Sequence, residues 1–285
     1  MLLGLSIACG VLTASGFGTA DFIAKLSTGK VGFLRTALFM QAIGGFFVLP
    51  FAMADFSQLL VDPLITVAAI LLGVVNALAT LSLYKGFEVG RLSIVSPIAS
   101  TGPVVAILLA ITFLGEIVTT ELLAGIGFVL VGIILVSFQT TKMDASKQIA
   151  KGTVYAIGFM ILGGLILFAL KPVSNVLGVF LPVLIMRWVG VSVLVVPFLA
   201  RKPSGSGGGA FGLILAIAFF DTFANVIYTV GVHIGTVTIV ATLGGMFSAV
   251  TVLLARLFLK ERLSLHQIIG FVAIIIGVGI LGAFG

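Results

Sequence analysis

Apolar runs of about twenty residues, parted by short polar stretches, recur from one end of the chain to the other. About twenty is the length a helix needs to cross the hydrocarbon core of a bilayer. Ten runs can be marked, at roughly 2–23, 31–53, 64–84, 92–114, 121–138, 152–170, 181–199, 209–228, 237–258 and 265–284; they are called spans 1 to 10. Polar residues inside them are few and periodic. Span 3 is apolar except for Asn76, Thr80 and Tyr84, at every fourth residue, and span 8 carries Asp221, Asn225 and Tyr228 at i, i+4 and i+7. Each set forms one stripe on a helix, which should face protein or water and not acyl chains. Span 4 holds Pro97 and Pro103 among Ser96, Ser100 and Thr101. Missing backbone hydrogen bonds beside clustered hydroxyls predict a kinked helix lining a cavity, although packing alone could also satisfy each kink. Span 9 has Thr242 and Ser248 in place of those prolines.

The pattern occurs twice. A shift of 145 lays Gly86 on Gly231, Gly90 on Gly235, Ala110 on Ala255, Glu116 on Glu261, Gly125 on Gly270 and Gly132 on Gly277. Glycines are common here, so the two glutamates closing Leu114-Gly115-Glu116 and Leu259-Lys260-Glu261 carry most of the weight. The same shift places Asp221 on Asn76 and Asn225 on Thr80. The chain reads as a tandem duplication, with a first five-helix unit at 1–140, a polar linker at 141–151 and a second unit at 152–285. Five is odd, so the second copy must enter the membrane from the opposite side. The expected fold is therefore an all-α membrane protein of ten transmembrane helices, arranged as two inverted five-helix repeats around a central cavity.

Composition narrows the classes. Hydrophobic residues make up 60% and charged residues 8%, with a mean hydropathy of +1.36; a soluble domain carries about a quarter charged residues. The net charge of +6 is spread over loops and helix ends, which suits topology and not nucleic acid. One cysteine, Cys9, excludes an internal disulfide and a thiolate metal cluster. Residues 1–16 lack a basic start and run on past any cleavage site, so they read as the first span and not a signal peptide. The Gly/Ser-rich run at 204–209 lacks a following Lys-Ser/Thr and reads as a connector.

Two five-helix units, each ending its fourth helix with Leu-Gly-Glu or Leu-Lys-Glu, resemble the EamA-type branch of the drug/metabolite transporter superfamily. The resemblance implies a cavity between the halves, lined mainly by spans 1, 3, 4, 6, 8 and 9, and a rocking alternation of access. It implies a small-molecule substrate, in a branch that handles amino acids, sugars, nucleotide-like metabolites and drugs. The tryptophan often found early in the first helix of such proteins is absent; Ser15-Gly16-Phe17-Gly18 stands there and Trp188 is the only tryptophan.

Candidate chemistry is sparse. Asp221 is the carboxylate expected deep in a span, to take up a proton during coupling, to bind a cationic amine, or to serve as a structural partner of Asn76, Tyr84 or another helix. Together with Asn76, Thr80, Tyr84, Ser96, Ser100, Asn225, Tyr228 and Thr242 it makes the expected substrate-binding set. Asp21 and Lys25, at i and i+4, are expected to pair at a helix end. Glu116 and Glu261 are expected to cap or tether the turns after spans 4 and 9, and Arg35 and Arg187 to snorkel toward headgroups. No nucleophile with its base, metal cluster or nucleotide loop stands out, so no enzyme activity and no cofactor is expected; His233 and His266 fall at helix ends. The expected function is a secondary transporter of a small metabolite, uniporting or proton-coupled. The rivals are a non-transporting scaffold or lipid-binding protein, and an ion channel. Expected partners are substrate and membrane lipids, without nucleic acid, and a monomer suffices. The expected location is the cell membrane. Lys30, Lys85, Arg91, Lys142, Lys147, Lys151, Arg201, Lys202, Lys260 and Arg262 follow odd-numbered spans, whereas Asp55 and Asp62 follow an even one. The positive-inside rule then puts both termini outside, against the family's usual arrangement with both inside.

Overall fold

A computed structural model describes residues 2–90, 92–137, 146–200, 209–259 and 264–284. Residues 141–145 of the linker, the run at 201–208 and the segment 260–263 with Glu261 lie outside the described residues. The rest is helical. The first copy comprises α1 (Leu2–Val31), α2 (Phe33–Ala52), a 3-10 turn (Met53–Leu60), α3 (Pro63–Val89), α4 (Leu92–Ala99), α5 (Gly102–Leu114) and α6 (Thr120–Ser137). The second comprises α7 (Ser146–Leu177), α8 (Phe180–Ala200), α9 (Phe211–Ile234), α10 (Val237–Gly244), α11 (Phe247–Leu259) and α12 (Leu265–Phe284). By length and apolarity eight stretches can cross a membrane, with α10 and α11 counted as one, and α5 and α6 are shorter apolar helices. Leu64, Phe211, Leu257 and Ile275 are among the large apolar side chains exposed on the outside, as lipid contact demands.

Several helices outrun the apolar runs that announce them. α1 continues past Ile23 to Val31, α3 past Tyr84 to Val89, and α7 through Pro172 to Leu177. Two are cut short. Span 4 is interrupted at Ser100-Thr101, where Pro103 lies in the first turn of α5, and span 9 at Gly245-Met246. The second interruption occurs without proline. A glycine pair, Gly244-Gly245, takes its place, at the position that the 145-residue shift assigns to Ser100. The two interruptions meet, because a Cβ on Gly245 would lie 2.7 Å from Pro103 Cγ.

Packing pairs exchange when the copies are exchanged. α1 packs on α9 and α7 on α3, while α2 packs on α8 and α6 on α12. The α6–α12 contact shows the exchange at single residues. A Cβ on Gly132 would stand 2.6 Å from the carbonyl of Gly270, and one on Gly277 would stand 2.7 Å from that of Gly125. Those partners swap under the repeat, and their numbering runs in opposite directions, so α6 and α12 are antiparallel. Only glycine lets the two backbones approach so closely.

Candidate functional site

Where α1, α2, α3, α4, α5, α7, α9, α10 and α11 converge, they leave a cavity of about 90 Å3, several times the room one water needs. Its lining includes Thr13, Phe17 and Asp21 from α1, Asn76, Thr80 and Tyr84 from α3, Phe159 from α7, Asp221 and Asn225 from α9, and Phe247 from α11. Gly102, Pro103, Gly244 and Gly245 close it at the junction of the broken spans. Both periodic stripes thus reach one chamber, and Asn76 and Asp221 face it and not lipid.

Four of the expected site residues do not line it. Ser96 and Ser100 are buried but are not part of the cavity lining. Tyr228 is fully buried and its hydroxyl donates to Leu167 O at 2.8 Å; the third residue of the α9 stripe ties α9 to α7. Thr242 Oγ1 donates to Thr238 O within α10 at 2.6 Å. Tyr228 and Thr242 thus spend their hydroxyls on backbone carbonyls of a neighbouring element or of their own helix, whereas Ser96 Oγ is buried without a hydrogen-bond partner among the described residues.

The charges are arranged otherwise than expected. Arg187 is 2% exposed and does not snorkel. Its Nη2 donates to Asp221 Oδ2 at 2.5 Å, and its Nη1 donates to Gln41 Oε1 at 2.9 Å and faces Met40 Sδ at 3.2 Å. Asn225 Nδ2 donates to the same Asp221 oxygen at 3.2 Å. A polar bridge therefore joins α2, α8 and α9 well inside each helix, and Asp221 is paired with a cation that the sequence reading put at the headgroups. Gly44 and Gly190 make the space: a Cβ on Gly44 would stand 3.1 Å from Arg187 Nε, and one on Gly190 would stand 3.0 Å from Gln41 Nε2.

Asp21, like Arg187, is placed otherwise than the sequence reading expects. It lies inside α1, is buried, and borders the cavity. Lys25 does not pair with it; Lys25 Nζ donates instead to Phe87 O at 2.6 Å, at the C-terminus of α3. Lys171 does the matching task in the second copy, donating to Val232 O at 2.9 Å and to Gly235 O at the C-terminus of α9. Carbonyls freed at helix ends attract such ammonium groups. Glu116 also reaches farther than its own turn. Its carboxylate accepts from Val237 N at 2.7 Å and Thr238 N at 2.9 Å, capping α10 of the other copy.

The comparisons agree with this architecture. A protein of known crystal structure superposes with a TM-score of 0.79 over 96% of this chain and 95% of its own, at 17% identity, a likeness of fold alone. The uncharacterized protein MJ1333.1 of Methanocaldococcus jannaschii is 30% identical over 134 residues, which cover 47% of this chain but 97% of that protein. Its length therefore corresponds to a single copy of the repeat. The description "EamA-like transporter family" matches residues 4–138 and again 150–283. Matched by both halves and built as a multi-pass bundle of apolar helices, the chain belongs to the EamA-like transporter family of membrane transporters.

Proposed function

We propose that the protein is a ten-span secondary transporter, built as two inverted five-helix repeats, that carries a small metabolite by alternating access. The observation that carries the reading is the chamber at the junction of two interrupted spans, one from each copy. Discontinuous helices beside a midplane cavity are a recurring architecture of carrier sites, because freed backbone groups and helix ends there can meet a solute. Inversion is supported by the antiparallel α6–α12 contact, whose glycine partners exchange with the copies. Two equivalent helices can meet that way only across a two-fold axis perpendicular to them, as in any isologous contact. Counting each interrupted span once, and α6 as a full crossing, brings the total to ten.

Within this reading Asn76, Thr80, Tyr84, Asp221 and Asn225 contact the solute, while Tyr228, Thr242, Ser96 and Ser100 hold the helices that frame it. The side chains lining the chamber come from both copies, so rocking one copy against the other opens it to either face without dismantling either bundle. The basic loops favour both termini outside; a reporter fused at Gly285 that is active only in the cytoplasm would overturn that orientation. Counterflow in liposomes tests the carrier reading. Vesicles preloaded with one unlabelled metabolite from a panel should transiently concentrate its labelled form against a gradient. Uptake that never overshoots the equilibrium level for any member would count against a carrier.

A further inference from the structure

Two carboxylates border the chamber and only one has a counter-ion. Asp221 shares an oxygen between Arg187 and Asn225. Asp21 is buried, lines the same cavity, and accepts no hydrogen bond among the described residues. The cation one turn away, Lys25, is committed to Phe87 O, and the other carboxylate on the wall, Asp221, is no help to a second negative charge. With both carboxylates ionised, the group Asp21, Asp221 and Arg187 carries one formal negative charge. A second unfinished group lies beside it: Thr13 Oγ1 is fully buried, borders the cavity and has no hydrogen-bond partner. Thr13, Phe17 and Asp21 follow at i, i+4 and i+8 on one face of α1. The rest of the wall is largely apolar, and four aromatic side chains, Phe17, Tyr84, Phe159 and Phe247, belong to it.

We infer that the site takes an organic monocation: an ammonium group carried on a small apolar body, with Asp21 as the residue that receives the charge. An isolated buried carboxylate costs several kcal/mol unless a cation or proton arrives, and a bound ammonium supplies one. Aromatic rings around it favour a cation over a neutral solute of equal size. Asp221 cannot take the same role without losing Arg187. Its task is to hold α8 and α9 together, and to present its remaining oxygen to the solute beside Asn76. A zwitterion would carry its own carboxylate into a chamber that already has a surplus negative charge, and an anion would add a second. Selection by charge is thus written into the wall, with repulsion doing part of the discrimination.

The inference rests on the carrier reading for its biological sense but is tested by binding alone. Purified protein in detergent is melted with phenethylammonium, with the zwitterion phenylalanine and with the anion 3-phenylpropionate, three solutes of similar bulk. The cation alone should raise the melting temperature, by mass action on the folded state. Asp21→Asn should weaken that stabilisation roughly tenfold or more in concentration, as loss of a charged contact does; Asp21→Glu should keep it. The melting temperature without solute shows whether Asp21→Asn is folded, and if it is not, the comparison between the three solutes on the native chain still decides. Stabilisation by none of them, equal stabilisation by all three, or full retention in a folded Asp21→Asn protein overturns the inference. A cation that binds but gives no counterflow would count against the carrier reading instead.

Discussion

Arg187 and Asp221 form an ion pair where water is scarce, and the partner left behind by a single substitution determines the cost. Replacing Arg187 with methionine removes the cation and strands a carboxylate that is 19% exposed; breaking a buried pair in this way costs about 3–5 kcal/mol. Arg187→Met should therefore melt well below the native protein, and Arg187→Met combined with Asp221→Asn should recover much of the loss. A double-mutant cycle on melting in detergent measures the difference, and strictly additive effects would refute the pairing. This bridge was only half legible in the sequence. Asp221 stands out because it is the carboxylate that the apolar pattern places deep in a span. Arg187 does not, because a cation one turn inside a span snorkels by default, and no periodicity brings α8 beside α9. Asp21 was hidden by its own neighbour: Lys25 at i+4 offered a local partner that the fold gives to a carbonyl of α3 instead.

At the scale of helices, the copies are joined by close backbone contacts and by caps. Gly132→Val would push a side chain into the carbonyl of Gly270, and the shift needed should cost about 1–3 kcal/mol. Gly127, on the same helix, has nothing within 4 Å of its Cβ position, so Gly127→Ala should leave melting unchanged or slightly raised. Equal effects at the two positions would show that α6 and α12 do not meet as described. Glu116→Ala removes the acceptor for two N–H groups that open α10, a loss of about 1–2 kcal/mol by comparison with other helix caps. Its expected signature is faster amide exchange at Val237 and Thr238. The glycine contacts were foreshadowed by the sevenfold spacing of Gly125 and Gly132. The break in span 9 was not, since proline marks only the first copy and a glycine pair among many glycines carries no signal until its partner, Pro103, is seen against it. The reach of Glu116 was likewise invisible, because a cap supplied by the other copy depends on how two bundles dock and not on the residues of either turn.

For the whole molecule the decisive feature is the relation between two halves. A relative about as long as one half corresponds to a single copy of the repeat. Joining two in one chain lets each diverge, and here they have: the first copy supplies Asp21, the stripe on α3 and the proline break, while the second supplies the Arg187–Asp221 pair. The duplication and the membrane class were plain in the sequence, as apolar period and fixed offset survive any amount of repacking. Substitution of Cys9, the only cysteine, by serine gives a background free of thiols, into which Thr80→Cys places one at the cavity wall. In sealed vesicles, a membrane-impermeant thiol reagent added from either side should label that cysteine, while the vesicles stay tight to small ions. Labelling from one face only, or labelling accompanied by a continuous ion leak, would contradict a chamber opened alternately to the two sides.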